Sequence, residues 1–528
     1  MAKNLQNILI VSVSTLGSRL LGLLRDILMM GFLGLSSTSS AFIFAFTVPN
    51  LFRRLLGEGA LSSALIPVFS EALKQDGKGP AFRFANRVLT RALVVLLILT
   101  AVGMAGFGLG WALVRHAGLA EALNVDRIQW EKGCEMGVLL LPYMVLVCLA
   151  ALMGGLLNVL QRFAVHALTA VWLNLALIAA LLIGGWAMGL KGYPLALALC
   201  LGVLVGGAVQ LLVPMVALWR ESWQGRMDFT HEPRLHELNR IFLPAVAGAA
   251  VMQVNVLVSR LLAFGLNDTG VSALYLANRL VELPLGVFAI AVATVIFPNL
   301  ALLAAAGDKA GIVRLYGEGL RLILAITVPA AVGLAVLASP VLGLLFEWGR
   351  FNALDVDKTV PVLAVFACAL PFYGLATMAT RGFHSMKDTR TPVRIAVVSF
   401  IVNLVLSVAL MLPYGTVGLA VANLVSAAVQ AVGLGMVLPR KLAVFSGARL
   451  VSGLIRICLA AAGMGLVTWL LSRGLSQWVP PGKWADTLAV VGIIPVSSAV
   501  YFGLLWVSGF EDRHALLSLI LRRGRSHK

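Results

Sequence analysis

The sequence predicts an all-α integral membrane protein: fourteen transmembrane helices, arranged as two parallel-related six-helix halves around a central cavity plus two C-terminal helices. Three observations predict it. Of the 528 residues 60% are hydrophobic and only 12% charged, with a mean hydropathy of +0.95, whereas a soluble domain averages about 25% charged residues. Apolar stretches of about 18 residues or more, enough to cross a bilayer as a helix, recur from one end to the other. A segment near residue 40 returns in altered form near residue 272.

The candidate spans centre near Leu21, Leu51, Leu96, Val145, Leu177, Val205, Val251, Ile290, Val328, Val365, Phe400, Val425, Gly463 and Pro495. The first is read as a retained span and not a signal peptide. Arg19 and Arg25 interrupt its apolar run, and no small-residue cleavage site follows. A net charge of +18 would suggest nucleic acid in a soluble chain. Here it follows from topology, because cytoplasmic loops accumulate Lys and Arg. With the N-terminus inside, the basic loops "KQDGKGPAFRFANR" and "HSMKDTRTPVR" and the tail "LRRGRSHK" all fall inside, whereas "GLSSTSS", "GLNDTGVS" and "PYGT" fall outside. Both termini are therefore expected in the cytoplasm. The five cysteines are scattered and form no CxxC, so neither a disulfide framework nor a zinc site is expected.

The longest polar break of the first 300 residues, Arg220 to Arg240, follows the sixth span, and the chain after it starts over. "SAFIFAFTVPNLFRRLLGEGALSSALIP" from Ser40 parallels "SALYLANRLVELPLGVFAIAVATVIFP" from Ser272. Both carry arginine and glutamate in mid-span and close on proline. An even number of spans between copies keeps their orientation, as in transporters built from parallel repeats whose substrate site lies between the halves. The expected divisions are 1–219 (first half), 220–240 (cytoplasmic linker), 241–441 (second half) and 442–528 (two-helix appendage with a basic tail).

Charges within apolar spans are costly and mark function by default. Arg19, Arg25, Arg53, Arg54, Arg260 and Arg279 resist assignment to loops; Asp26, Glu58 and Glu282 accompany them and leave an excess of three positive charges. Arg54 and Glu58, four apart, and Arg279 and Glu282, three apart, can pair along a helix face; Asp26 can neutralise Arg25 or lie below Arg19. Ion pairs holding the bundle, or snorkelling for Arg260, are the structural alternative. The uncompensated excess favours a cationic, water-accessible cavity for an anion, since guanidinium stays charged in a dry site and binds phosphate bidentately. Gly22, Gly57 and Gly59 could loosen the helices beside these arginines. There is no GxxxxGK phosphate loop, "HEPRLHE" lacks the HExxH spacing, and Asn158, Asn174, Asn403 and Asn423 read first as interhelical hydrogen-bonding positions. No cofactor or metal is called for.

"GSRLLGLLRD", "VPNLFRRLLGEGALSSALIPVFSE", "ALYLANRLVELPLGVFAIAVATVIFP" and "GFHSMKDTRTPV" resemble the signature segments of the MurJ (MviN) lipid II flippase family, within the multidrug/oligosaccharidyl-lipid/polysaccharide exporter superfamily. The resemblance runs through essentially the whole chain. It implies a lipid II cargo (the undecaprenyl-pyrophosphate-linked muropeptide), moved from the inner to the outer leaflet of the bacterial cytoplasmic membrane by alternating access, with no covalent chemistry. It implies pyrophosphate binding by Arg19, Arg25, Arg53, Arg54 and Arg279, with Ser18, Asp26, Ser40, Glu58, Asn278 and Glu282 as supporting or gating positions. The last two helices would hold the polyprenyl tail, and the membrane potential would reset the carrier. Partners would be lipid II, membrane lipids and cell-wall synthesis proteins, not nucleic acid. Three departures stand out: Ser40 and Asn278 replace aspartates frequent in the family, and the sodium-binding carboxylates of some members read Asn403, Ser407 and Asn423, at most a weak cation site. The competing readings are an exporter of another polyprenyl-linked oligosaccharide, a cation-coupled drug antiporter, which would need cavity acids, and a scaffold or glycosyltransferase, which would need a catalytic constellation in a sizeable outer loop.

Overall fold

The structure is a computed structural model that describes residues 2–116, 121, 125–230, 232–286, 290–442 and 447–513; the side chains of 2–13, 57–63, 247, 290–291, 293–295, 439–442 and 447–449 lie outside what it describes. The described residues are helical almost throughout. Ten helices among them are long and apolar enough to cross a membrane. At 1.5 Å per residue, about 20 residues span the hydrocarbon core.

The chain divides into two compact units, Met1–Ser272 with Trp348–Phe351, and Ala273–Glu347 with Asn352–Lys528. The first contains α1 (Ala2–Leu33), α2 (Ser37–Phe52), a π-helical stretch Arg53–Ala60, α3 (Leu61–Gln75), α4 (Lys78–His116), α5 (Arg127–Leu140), α6 (Pro142–Val159), α7 (Thr169–Ala180), α8 (Tyr193–Arg220) and α9 (Arg234–Leu266). Ser36 opens α2 with a capping box: its hydroxyl accepts from Ser39 N–H, and Ser39 returns the bond to Ser36 N–H. α6 is the interior helix, largely buried, and small residues such as Ala151, Gly154 and Gly155 let neighbours approach its backbone. α4 is its opposite. Val94, Val95, Ile98 and Val102 stand exposed on it, as a lipid-facing surface requires. Phe44, Trp130 and Phe264 tie α2, α5 and α9 together, with Phe44 and Phe264 stacked at 4.4 Å.

The polar stretch 220–240 belongs to this unit and is bound along it. Arg87 pairs with Asp228 at 2.9 Å and Glu232 at 2.5 Å, Arg234 with Asp76 at 2.5 Å, and Glu221 with Arg162 at 2.8 Å and Lys78 at 3.1 Å. Trp223 Nε1 donates to Asn86 at 2.8 Å. The bonds from Arg162 and Lys78 hold the Glu221 carboxyl below its usual range, and the Thr230 bonds do the same for Asp228. Trp348–Phe351 also sits on this unit. Arg350 N–H donates to Gly31 O at 2.7 Å, and the Trp348 ring lies edge-on to Phe32 in space that a Cβ at Gly31 would occupy. Gly349 (φ +63°) faces the Gly31 carbonyl, where only glycine fits.

The second unit takes up the chain partway along α10 (Gly270–Pro284) and continues with α11 (Ile290–Ala305), α12 (Lys309–Val336), α13 (Ala338–Phe346), α14 (Ala353–Ser385), α15 (Arg390–Leu442), α16 (Gly447–Trp478) and α17 (Ile494–Val507). α15 runs for 53 residues but breaks helical geometry at Gly415 (φ 58°, ψ −138°). Tyr316, Ile323, Phe383, Leu434, Tyr501 and Leu505 belong to one buried core. The last helix and the segment after it are fastened to α12: Tyr501 Oη donates to Ala325 O at 2.8 Å, and Arg321 grips Asp512 at 2.5 and 3.2 Å.

Candidate anion-binding site

In the first unit Arg25 of α1 is anchored to a neighbouring helix. Arg25 Nη2 pairs with Asp26 Oδ1 at 2.6 Å and its Nη1 donates to Asn174 Oδ1 at 3.1 Å; Asn174 Nδ2 in turn donates to Ser18 O at 3.1 Å. Asp26 is fully buried and the Arg25 side chain 12% exposed. Of the two placements expected for Asp26, the structure has the neutralisation of Arg25. This geometry holds the guanidinium plane in one orientation inside the helix bundle, which a charge free in lipid could not maintain. Arg19, six residues earlier, is half-buried and makes no ion pair among the described residues. Ser18 enters through its backbone carbonyl.

Arg53 and Arg54 open the π-helical stretch that contains Gly57 and Gly59, so the second span is widened beside its arginines. π-turns inside α-helices are frequent at functional sites. Arg53 is half-buried and Arg54 exposed. Arg53 lines a cavity of about 370 Å³ inside the first unit. The Glu58 side chain lies outside the described residues, so its expected pairing with Arg54 does too. Arg260 is half-buried near the end of α9.

Ser40 is completely buried and shares a hydrogen bond with Ser272 at 3.0 Å; Ser39 meets the same hydroxyl at 2.9 Å. Ser39 and Ser272 are not among the functional positions that the sequence predicts. The signal was present, because Ser40 and Ser272 each open one copy of the repeated segment. In the second unit Glu282 is shared: Asn278 Nδ2 donates to Oε1 at 2.9 Å, and Arg279 lies 3.5 Å from Oε2. Asn278 therefore joins the acid of the repeat as a neutral donor where an aspartate would repel it. Asn403 and Ser407 are buried one helical turn apart, and Asn423 is half-buried beyond the Gly415 break. No group of three or more His, Cys, Asp or Glu able to hold a metal occurs among the described residues.

Residues 29–483 match the family model described as "Lipid II flippase MurJ". The chain is 32% identical over 510 residues to a probable lipid II flippase MurJ of Vibrio cholerae, covering 95% of each chain. It is 33% identical over 519 residues to one of Rhizobium meliloti, covering 97% of this chain and 94% of that one. Among solved structures it is similar to a lipid II flippase MurJ in an inward closed conformation, with TM-score 0.76, 22% identity and coverage of 94% and 98%. It is similar in fold to an inward-facing multidrug transporter of the MATE family and MOP superfamily, with TM-score 0.64, 14% identity and coverage of 81% and 94%. Arginines embedded in apolar helices, a repeated charged segment and similarity along nearly the whole length lead to one assignment: the chain belongs to the MurJ lipid II flippase family.

Proposed function

We propose that this chain is a transporter, and not an enzyme, that carries lipid II from the inner to the outer leaflet of the bacterial cytoplasmic membrane. The observation that carries the reading is the set of arginines carried within apolar helices of a chain similar along nearly its whole length to proteins named lipid II flippases. Arg19, Arg25, Arg53, Arg54 and Arg279 bind the pyrophosphate. Guanidinium suits this task because its planar fork matches phosphate oxygens and stays charged when desolvated. Asp26 and Glu282 temper two of these charges, so that the cargo is released as well as bound. Transport proceeds by alternating exposure of the arginine-bearing helices to the two faces of the membrane.

The proposed topology has fourteen crossings. The ten apolar helices supply ten, the break at Gly415 divides one of them, and three runs interrupted by charge add the rest: α1, α2 with α3, and α10 with α11. Twelve form two parallel-related halves. α16 and α17 form the appendage that takes the polyprenyl tail, and both termini lie in the cytoplasm.

The test is delivery of lipid II to the outer leaflet in cells depleted of their own flippase and rescued with this chain. Wild type should restore delivery, and Arg19→Ala and Arg25→Ala, expressed to equal levels in the membrane, should not. A correctly inserted wild type that fails to rescue would point to another polyprenyl-pyrophosphate cargo. Rescue by both variants would make their charges structural.

A further inference from the structure

The polar stretch after α8 follows a path down α4 and back. Trp223 is buried, and Gln224 O accepts from Asn86 Nδ2 at 2.7 Å. Further along, Asp228 N–H donates to Thr90 Oγ1 at 3.1 Å, and Arg91 Nη2 donates to Phe229 O at 3.2 Å and Thr230 O at 2.9 Å. The chain then returns, since Glu232 meets Arg87 at 2.5 Å and Arg234 meets Asp76 ahead of α4. The contacts thus advance along α4 from Asn86 to Arg91, about 8 Å at 1.5 Å per residue, and retreat. Phe229 and Thr230 form the tip. One turn beyond Arg91 stand Val94 and Val95, exposed on the lipid-facing surface of α4. The tip therefore lies at the boundary of the hydrocarbon.

Two side chains at this tip are out of place in water. Met227 is 72% exposed and Phe229 64%, on either side of Asp228, whose carboxylate is turned to Arg87 at 2.9 Å. The backbone around them is pinned by the bonds above, so their exposure is built into the fold. Trp219, at the end of α8, is exposed beside them in sequence, as in an interfacial aromatic belt. Charge completes the pattern. Arg226, next to Met227, and Arg220 are exposed and make no ion pair or side-chain hydrogen bond among the described residues. Arg91 is engaged by carbonyls, and no carboxylate pairs with it among the described residues. An apolar tip flanked by uncompensated guanidinium charge matches a lipid, with acyl chains below and phosphate above. A soluble acidic partner would satisfy the arginines and leave Met227 and Phe229 in water. We propose that residues 226–230 are a membrane-interface anchor of the first unit that binds an anionic phospholipid: Met227 and Phe229 enter the acyl boundary and Arg226 takes the phosphate. The inference goes beyond transport and rests on the proposed topology only in placing this stretch at the cytoplasmic leaflet, whose anionic lipids attract basic residues. The ion pairs of the stretch then hold its tip against the membrane.

The test places a bimane label at 229, through Phe229→Cys in full-length protein with Cys368 and Cys458 replaced by Ala; the other three cysteines are buried. Labelled protein is set in phosphatidylcholine nanodiscs containing a minor fraction of brominated phosphatidylglycerol or, separately, of brominated phosphatidylcholine. Val95→Cys, on the exposed face of α4, is the membrane control. The label at 229 should be quenched comparably to one at 95. Brominated phosphatidylglycerol should be preferred at 229 by on the order of fivefold, the scale of one basic residue at an anionic surface. Arg226→Gln should remove that preference with melting temperature and quenching at 95 unchanged. A label at 229 that stays unquenched while 95 is quenched would put the tip in water or, if it is also shielded from a water-soluble quencher, under a second copy of the chain; either overturns the anchor. Equal quenching by the two lipids, or a preference that survives Arg226→Gln, would overturn the phospholipid site. No cargo enters these measurements, so their failure and failure of the flippase reading are distinguishable.

Discussion

Arg25 and Asn174, 149 residues apart in the chain, are joined by a 3.1 Å hydrogen bond from Nη1 to Oδ1. That bond makes Asn174 the residue that aims the guanidinium, while Asp26 balances its charge. Asn174→Ala should cost about 1.5–3 kcal/mol of stability, as expected for a bond to a charged group, and should lower lipid II delivery. Asn174→Asp should keep the fold but set a second carboxylate against Arg25, and delivery should fall further than stability does. Thermal unfolding and delivery, measured on both variants at matched expression, check this. Wild-type delivery by both would show that the orientation of Arg25 does not matter to transport.

The Ser40–Ser272 contact makes a prediction that needs no cargo. Each hydroxyl is buried and bonded, so Ser40→Ala or Ser272→Ala should each cost roughly 0.5–1.5 kcal/mol. The double variant should cost less than the sum, because the two groups share one bond. Strict additivity in chemical denaturation would show that the pairing carries no energy.

Gly415 sits at φ 58°, ψ −138° in the middle of α15, a region essentially restricted to glycine. Gly415→Ala should cost about 1–3 kcal/mol, although nothing stands within 4 Å of its added Cβ. The penalty is conformational and not steric crowding, so Gly415→Ser should behave like Gly415→Ala. A variant as stable as wild type would place the break elsewhere.

Glu221 offers a pH test outside the membrane spans. Its pKa is depressed by hydrogen bonds from Arg162 and then Lys78. Its contribution is therefore fully present above the ordinary value of 4.5 and is lost as pH falls through the lower folded-state value. Because both cations are exposed, the contribution is small, about 1 kcal/mol or less. The stability gap between wild type and Glu221→Gln should be widest near neutrality and close below pH 4.5. A gap that persists in acid would mean that the pair is not what Gln removes.

Much of this was legible in the residues themselves. Apolar length announces the spans. Arg25 and Asp26 announce their pairing by adjacency, and the repeated openings at Ser40 and Ser272 mark two residues that meet. Partners brought by tertiary packing were not legible: "VWLNLAL" gives no hint that Asn174 reaches Arg25, and "FAVHA" none that His166 faces a cavity with Arg53. The linker read as a polar break; the ion pairs from Arg87, Arg162 and Arg234 that bind it along the unit require the folded positions of distant helices. The π-helical geometry at Arg53 was visible only as two nearby glycines.

The loop Trp348–Phe351 has a consequence for how the protein is made. The first unit receives Arg350 and Trp348 at Gly31 and Phe32, yet these residues leave the ribosome well after Ser272. Until then the Gly31 carbonyl and the Phe32 ring at the end of α1 lack the cover they have in the finished protein. An N-terminal fragment ending at 272 would keep that gap permanently, and co-expression of a C-terminal fragment would have to supply the missing four residues in trans. Assembly of the first half therefore finishes only once synthesis of the second is well under way.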